Sequence, residues 1–125
     1  MRAAIFTQLK TITAFGNRVY QAYTAPSNTT TPYCTFKFTQ DLNAVGNRSG
    51  SWRPLEVYIY NGPTSFVSLD TLVKSVIDKL NNVTLTKTGG NIFTCELVGV
   101  SSDIFDDQRQ LLSKVVEFRI PFAKK

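Results

Sequence analysis

The sequence of 125 residues contains no histidine and only two cysteines, Cys34 and Cys95. Without an imidazole, a Ser-His-Asp or Cys-His arrangement has no base that titrates near neutral pH. Two cysteines alone cannot supply the four ligands that a structural zinc ion usually takes. The sequence therefore excludes these classes of catalytic and metal site, and it predicts no cofactor.

Long apolar runs are missing as well. No stretch approaches the roughly 20 apolar residues that a membrane-spanning helix requires, and the first ten residues lack the apolar run of a signal peptide. We therefore expect no membrane partner and synthesis in the cytoplasm. Both cysteines fall in apolar, strand-like segments, where a free thiol behaves as a small buried hydrophobe, and a disulfide between them is the alternative.

Clusters of basic residues are also scarce, although 14 Lys and Arg against nine Asp and Glu give a net charge of +5. A dedicated nucleic-acid surface concentrates its basic residues, whereas these are spread along the chain. Their distribution favours solvated faces. The one local charge cluster is acidic and comprises Asp103, Asp106 and Asp107, within a polar segment at residues 101–110 that we interpret as a loop.

Apolar side chains, 42% of the sequence, predict one folded domain over residues 1–125. Helical spacing predicts helices at residues 3–13 and at Phe66–Leu80, and Gly16 is expected to close the first. The segments with a strand pattern are residues 17–24, 33–40, 52–60, 83–87, 92–100 and 112–122. In residues 92–100 the second face is also partly apolar, through Ile92, Val98 and Val100.

The predicted fold is therefore α+β. It consists of a mixed, mostly antiparallel sheet of about five strands, with a short N-terminal helix and one long amphipathic helix packed on one face. Apolar residues recur every three or four positions along the long helix, and Asp70 is expected to pair with Lys74 on its exposed side.

Two groups of residues permit a functional as well as a structural interpretation. Tyr20, Tyr58 and Tyr60 would form a stripe on the solvent face if their strands were neighbours, and such a stripe fits either a base-stacking platform or a subunit interface. The aspartates at 103–107 fit a catalytic acid–base pair, a solvated loop or an interface loop.

Three segments followed by a helix give the chain an ordered pattern: FGNRVY at residues 15–20, PYCTF at 32–36 and LEVYIY at 55–60, then the helix at 69–80. In this order they resemble the tail-completion, or tail-terminator, proteins of long-tailed bacteriophages. The resemblance extends over nearly the whole chain. It implies a mixed sheet with helices on one face and no catalytic activity.

The resemblance also implies a set of partners and a location. The family suggests a virion protein at the head–tail junction, made in the host cytoplasm and assembled as a ring of six copies. Such a ring caps the tail tube protein and offers a docking surface to the head-completion, or connector, protein. DNA would pass through its lumen without sequence-specific binding.

Candidate contacts with a neighbouring copy or with the tube come from two polar loops and the acidic cluster. They are Asp41, Asn43, Arg48, Trp52, Arg53, Asp103, Asp106, Asp107 and Arg109. The aspartates are expected to meet Arg48, Arg53 or Arg109 across a subunit boundary. A nucleic-acid-binding module that uses the tyrosines and basic residues is the alternative function, followed by a small hydrolase that uses the aspartates.

Overall fold

The structure is a computed structural model that describes residues 2–16, 18–21, 31–38, 52–62, 66–86, 90, 92–106 and 111–121. Its helices are α1 (Arg2–Lys10) and α2 (Phe66–Leu80), with a 3-10 turn at Thr13–Phe15. Its strands are β1 (Val19–Gln21), β2 (Tyr33–Phe38), β3 (Trp52–Asn61), β4 (Thr84–Thr86), β5 (Ile92–Thr94), β6 (Glu96–Val100), β7 (Ile104–Asp106) and β8 (Leu111–Pro121).

The main sheet has six strands in the order β1-β2-β3-β8-β6, and β7 pairs with β8 beyond the end of β6. Only β1 and β2 are parallel, and the other pairs in this sheet are antiparallel. Strands β4 and β5 form a separate two-stranded sheet. The predicted α+β class with a mixed, mostly antiparallel sheet is confirmed, with six strands in the main sheet.

Helix α2 has the bounds that its apolar spacing predicts. Its apolar stripe is buried against β3 and β8, and fully burying a large aliphatic side chain is worth roughly 1.5–3 kcal/mol. The buried residues of this stripe are Leu69, Leu72, Val73, Val76 and Leu80. They meet the alternating inward residues of the two central strands, among them Val57, Val116 and Phe118.

Helix α1 ends earlier than predicted, at Lys10, and the 3-10 turn follows it. Gly16 closes this turn with φ 53° and ψ 44°, and its N–H donates to the Thr13 carbonyl over 3.0 Å. Glycine adopts this left-handed conformation without a steric penalty, as predicted. The Gln8 side chain donates to the Lys79 carbonyl over 2.9 Å, which joins α1 to the end of α2.

Two predicted segments differ from the structure. Residues 92–100 are divided at Cys95, because β5 pairs with β4 whereas β6 joins β8 in the main sheet. Part of the supposed polar loop at 101–110 is strand β7, because Ile104–Asp106 pairs with Leu111–Ser113 of β8. Polar composition suggested a loop, but pairing with an adjacent strand determined the conformation.

The expected ion pair between Asp70 and Lys74 is not formed. Lys74 instead contacts Asp78 at 3.2 Å, one turn further along α2. Asp70 faces β8, where its Oδ1 lies 2.8 Å from Lys114 Nζ. In the part of the chain that the structure describes, neither helix combines the length and the apolar character needed to cross a bilayer.

Candidate subunit interface

Strands β6 and β7 lie end to end along one edge of the main sheet. Both run antiparallel to β8, with Val100 opposite Val116 and Ile104 opposite Ser113. Between them the Ser101 N–H donates to the Val115 carbonyl, and the Val115 N–H donates to Ser101 Oγ, each over 2.9 Å. Hydrogen bonding to β8 therefore continues across the break between β6 and β7.

This edge carries large apolar side chains that are 38% to 53% exposed. They are Leu97, Val98, Val100, Ile104 and Phe105. A β-bulge between Leu97 and Gly99 adds one residue to β6. Among the described strands none lies beyond β6 and β7, and an edge strand of this kind offers unpaired backbone groups to another chain.

Ion pairs attach this edge to the rest of the molecule. Lys114 Nζ lies 3.2 Å from Asp103 Oδ1 and 2.8 Å from Asp70 Oδ1, so β8 binds both the edge segment and α2. The hydrogen bond to Asp70, followed by contacts with Asp103, raises the pKa of Lys114 above its usual value of 10.5. At the other end of β6, Arg119 Nε lies 2.9 Å from Glu96 Oε1.

The sheet face opposite the helices carries a row of aromatic rings. Tyr33 stacks on Tyr60 with 4.8 Å between ring centroids, and it meets the edge of Tyr20 at 6.3 Å. The strands of Tyr20 and Tyr60 are not neighbours, because β2 lies between them, and Tyr33 of β2, not Tyr58, joins the two rings into a row. Tyr33 is only 1% exposed. The central ring of the row is therefore not available for stacking bases, whereas Tyr20 and Tyr60 are partly exposed.

Tyr58 belongs to a separate polar group on the same face. Its hydroxyl donates to Glu56 Oε1 over 2.8 Å, and Lys37 Nζ lies 5.5 Å from the ring centroid and 3.8 Å from the same carboxylate oxygen. Partial burial and the Glu56 carboxylate raise the pKa of Tyr58. The three side chains contact one another within the subunit, which favours a structural interpretation.

The structure locates four of the nine predicted contact residues. Trp52 and Arg53 begin β3 opposite Pro121 and Ile120, whereas Asp106 lies in β7 opposite Leu111. Asp103 lies just before β7 and contacts Lys114 of its own chain. The remaining five lie outside the described residues: Asp41, Asn43, Arg48, Asp107 and Arg109.

These positions separate the candidates into two groups. Asp103 and Asp106 lie on the same sheet edge. Arg53 is opposite Ile120, nine residues along β8 from Leu111, or about 30 Å at 3.4 Å per residue. The backbones of Arg53 and Asp106 are therefore far apart within one subunit.

The exposed apolar residues of the edge were missing from the sequence-based candidates. The second apolar face of residues 92–100 contained the signal for Val98 and Val100, and the Ile104-Phe105 pair interrupts the acidic segment. Lys114 was also missed. Its role depends on the pairing of β8 with β7, which brings together residues that are distant in sequence.

Three features of the described residues bear on acid–base, metal and thiol chemistry. A groove between α1 and β4 is lined by Ala3, Ala4, Thr7, Gln8, Leu85 and Thr86, none of which carries a charge. Within the described ranges, no three His, Cys, Asp or Glu residues are grouped to hold a metal ion. Cys34 and Cys95 are free and buried, and burial raises the pKa of each thiol to about 12.

Comparison with known proteins gives a structural likeness and no sequence family. No protein-family model matches the chain, and no curated protein sequence matches it significantly. The fold is similar to that of a chain in a solved structure described as "Virion of native gene transfer agent (GTA) particle", with a TM-score of 0.71. The two chains are 15% identical, and the match covers 97% of this chain and 92% of that chain. At this identity the likeness establishes a shared fold.

Proposed function

We propose that this chain is a structural subunit of a phage-like virion and acts there as a tail terminator. In this function six copies form a closed ring that ends the tail tube and gives the head connector a surface to bind. The protein contributes shape and contacts, and it catalyses no reaction. DNA passes through the ring without sequence-specific binding.

The observation that carries the proposal is the likeness to a chain of a virion particle over 97% of this chain and 92% of that one. Near-complete coverage of both chains means that the two share a whole architecture, not one common motif. The ordered resemblance of the sequence to tail-terminator proteins points in the same direction, and it supplies the specific role in the tail.

A sheet edge with exposed apolar side chains supports a role in assembly. Monomeric proteins usually protect such edges with charges, prolines or covering segments, since an open edge invites pairing with another chain. In a ring the edge is buried by the neighbouring copy. Contacts between two different surfaces of identical subunits close into a ring when the rotation permits, and otherwise they extend into a filament.

The net charge of the ring needs to be reconciled with a DNA channel. Six copies at +5 each would carry +30. The described ion pairs of Lys37, Lys74, Lys114 and Arg119 with carboxylates reduce the local field of these basic residues. We therefore expect only weak, salt-sensitive retention of DNA by the assembled protein.

Electron microscopy of the purified protein tests this function. Closed rings with six-fold symmetry and an open lumen are the expected result, without added DNA. Filaments of indefinite length, or particles no larger than one 14.0 kDa chain at every concentration examined, would contradict it. Tight binding to single-stranded DNA at 0.2 M salt, with no rings, would favour the nucleic-acid-binding alternative.

A further inference from the structure

The two segments of the sequence that form the edges of the main sheet differ in charge. Residues 1–40 contain four basic residues and no acidic residue: Arg2, Lys10, Arg18 and Lys37. Residues 88–107 contain four acidic residues and no basic residue: Glu96, Asp103, Asp106 and Asp107. The first segment supplies α1, β1 and β2, and the second supplies β5, β6 and β7.

The strand order places these segments on opposite sides of the molecule. Strand β1 is at one end of the main sheet, and α1 packs next to it. Strands β6 and β7 are at the other end. We call α1 with β1 the basic edge, and β6 with β7 the acidic edge.

Among the described residues, unneutralised charge remains on both sides of the sheet after the ion pairs within the subunit are counted. On the basic edge, Lys10 is exposed with its Nζ 4.9 Å from the Phe6 ring centroid, and Arg18 Nε donates to the Pro32 carbonyl. Neither cation has an ion pair with a described carboxylate. On the acidic side, Arg119 pairs with Glu96, whereas one lysine, Lys114, is shared by Asp103 and by Asp70 of the adjacent helix, which leaves one negative charge in excess among these five groups.

We propose that the acidic edge of one copy docks on the basic edge of the next copy. This assignment rests on the proposed ring and specifies its contact: the exposed apolar side chains of β6 and β7 form the centre, and complementary charges set the orientation. Each copy uses one edge toward each of its two neighbours, so the contact is head-to-tail.

A symmetric contact between two acidic edges is disfavoured by the same charges. A two-fold axis would bring Asp103 and Asp106 of one copy toward the same residues of the other, and like charges across an interface oppose association. Two basic edges would repel in the same way. The asymmetric contact alone brings opposite charges together, and it is the kind of contact from which a ring is built.

Two complementary variants test the assignment, each with one edge blocked. Val98→Lys with Phe105→Lys blocks the acidic edge, and both positions are exposed, so the fold should be retained. Lys10→Glu with Arg18→Glu blocks the basic edge. Because Arg18 also holds the Pro32 carbonyl, Lys10→Glu alone is the second variant if the double substitution fails to fold. Circular dichroism and thermal melting check folding.

The molar mass of each sample is measured by light scattering after size-exclusion chromatography. Each blocked variant alone should have the mass of one chain, 14.0 kDa, whereas an equimolar mixture should give a pair of about 28 kDa, twice that mass. The pair forms because each partner retains one intact edge. Further growth would have to join the two altered edges, and it is not expected because the acidic edge has lost the apolar side chains of Val98 and Phe105. Val67→Lys and Lys74→Glu, on exposed positions of α2, are the matched controls and should assemble like the unmodified chain.

The possible failures are distinguishable. If the unmodified chain forms rings and either blocked variant still forms them, the edge assignment is overturned and the ring stands. A mixture that stays at 14.0 kDa while the unmodified chain forms rings also overturns it. If the unmodified chain is itself a monomer under all conditions, the proposed ring fails, and the assignment fails with it.

Discussion

Lys114 in β8 and Asp103, between β6 and β7, form an ion pair with 3.2 Å between Nζ and Oδ1. The same ammonium group contacts Asp70 near the start of α2 at 2.8 Å. The Lys114 side chain is 18% exposed, whereas both carboxylates are about half exposed or more. One residue therefore connects the sheet edge, the central strands and the long helix.

Replacing Lys114 tests the strength of this connection. Lys114→Met removes two ion pairs, each worth about 0.2–1 kcal/mol at a surface, so we expect the free energy of unfolding to fall by about 1 kcal/mol. Urea denaturation measures the change. Lys74→Met, which removes one exposed pair within α2, should cost less than about 0.5 kcal/mol. Equal losses in the two variants would contradict the connecting role.

Alkaline pH should destabilise the protein through its two buried thiols. Burial raises the pKa of Cys34 and Cys95 from 9.0 to about 12, so the unfolded chain releases these protons first. Their contribution to stability is complete below pH 9 and is lost as the pH rises toward 12, by up to about 1.4 kcal/mol per pH unit for each thiol.

The measurement is urea denaturation at several pH values between 8 and 11. Cys34→Ala should reduce the loss of stability with pH, and an unchanged slope would argue against a raised thiol pKa at this position. Lys114 contributes a further loss of stability at high pH. Its pKa is raised in the folded state, so its contribution to stability is complete below 10.5, the usual pKa of lysine, and falls above that pH. Lys114→Met should remove that part of the profile.

Two phenylalanines provide a direct comparison between core and edge. Phe118 in β8 is fully buried under α2, so Phe118→Ala should cost about 3–5 kcal/mol. Phe105 in β7 is about half exposed, so Phe105→Ala should cost the isolated subunit far less and should weaken assembly instead. Thermal melting at a concentration that keeps the chain monomeric separates the effects. A large loss from Phe105→Ala would mean that this ring belongs to the core.

The stacked pair Tyr33 and Tyr60 should behave as an energetically coupled unit. Aromatic pairs in this geometry are worth about 0.5–1.5 kcal/mol beyond their burial, as a double-mutant cycle measures. We therefore expect Tyr33→Leu and Tyr60→Leu together to cost less than the sum of the single changes. Strict additivity would show that the rings touch without stabilising each other.

Sequence patterns predicted the elements in which apolar residues recur at regular spacing from one end to the other. The apolar spacing of α2 gave its bounds because seven large side chains repeat over 15 residues. Gly16 adopts the expected left-handed conformation, although it closes the 3-10 turn and not helix α1, which ends at Lys10. Strand alternation likewise identified the inward residues of β3 and β8. In each of these cases the residues of the segment itself were enough to predict its structure.

The errors arose where residues distant in sequence decide the structure. Strand β7 was taken for a loop because three aspartates surround Ile104 and Phe105, and only its pairing with β8 makes it a strand. The pairing of Asp70 with Lys114 in place of Lys74 depends on the packing of α2 over β8. The exposed edge was missed for the same reason, since strand order cannot be read from one segment.

The native mass of the purified, unmodified chain tests the central claim most directly. Native mass spectrometry at micromolar concentration and low salt should give about 84 kDa, six times the 14.0 kDa chain, as a single closed species. A spectrum that contains only the 14.0 kDa monomer at every concentration would contradict the account of this protein as a ring-forming structural subunit.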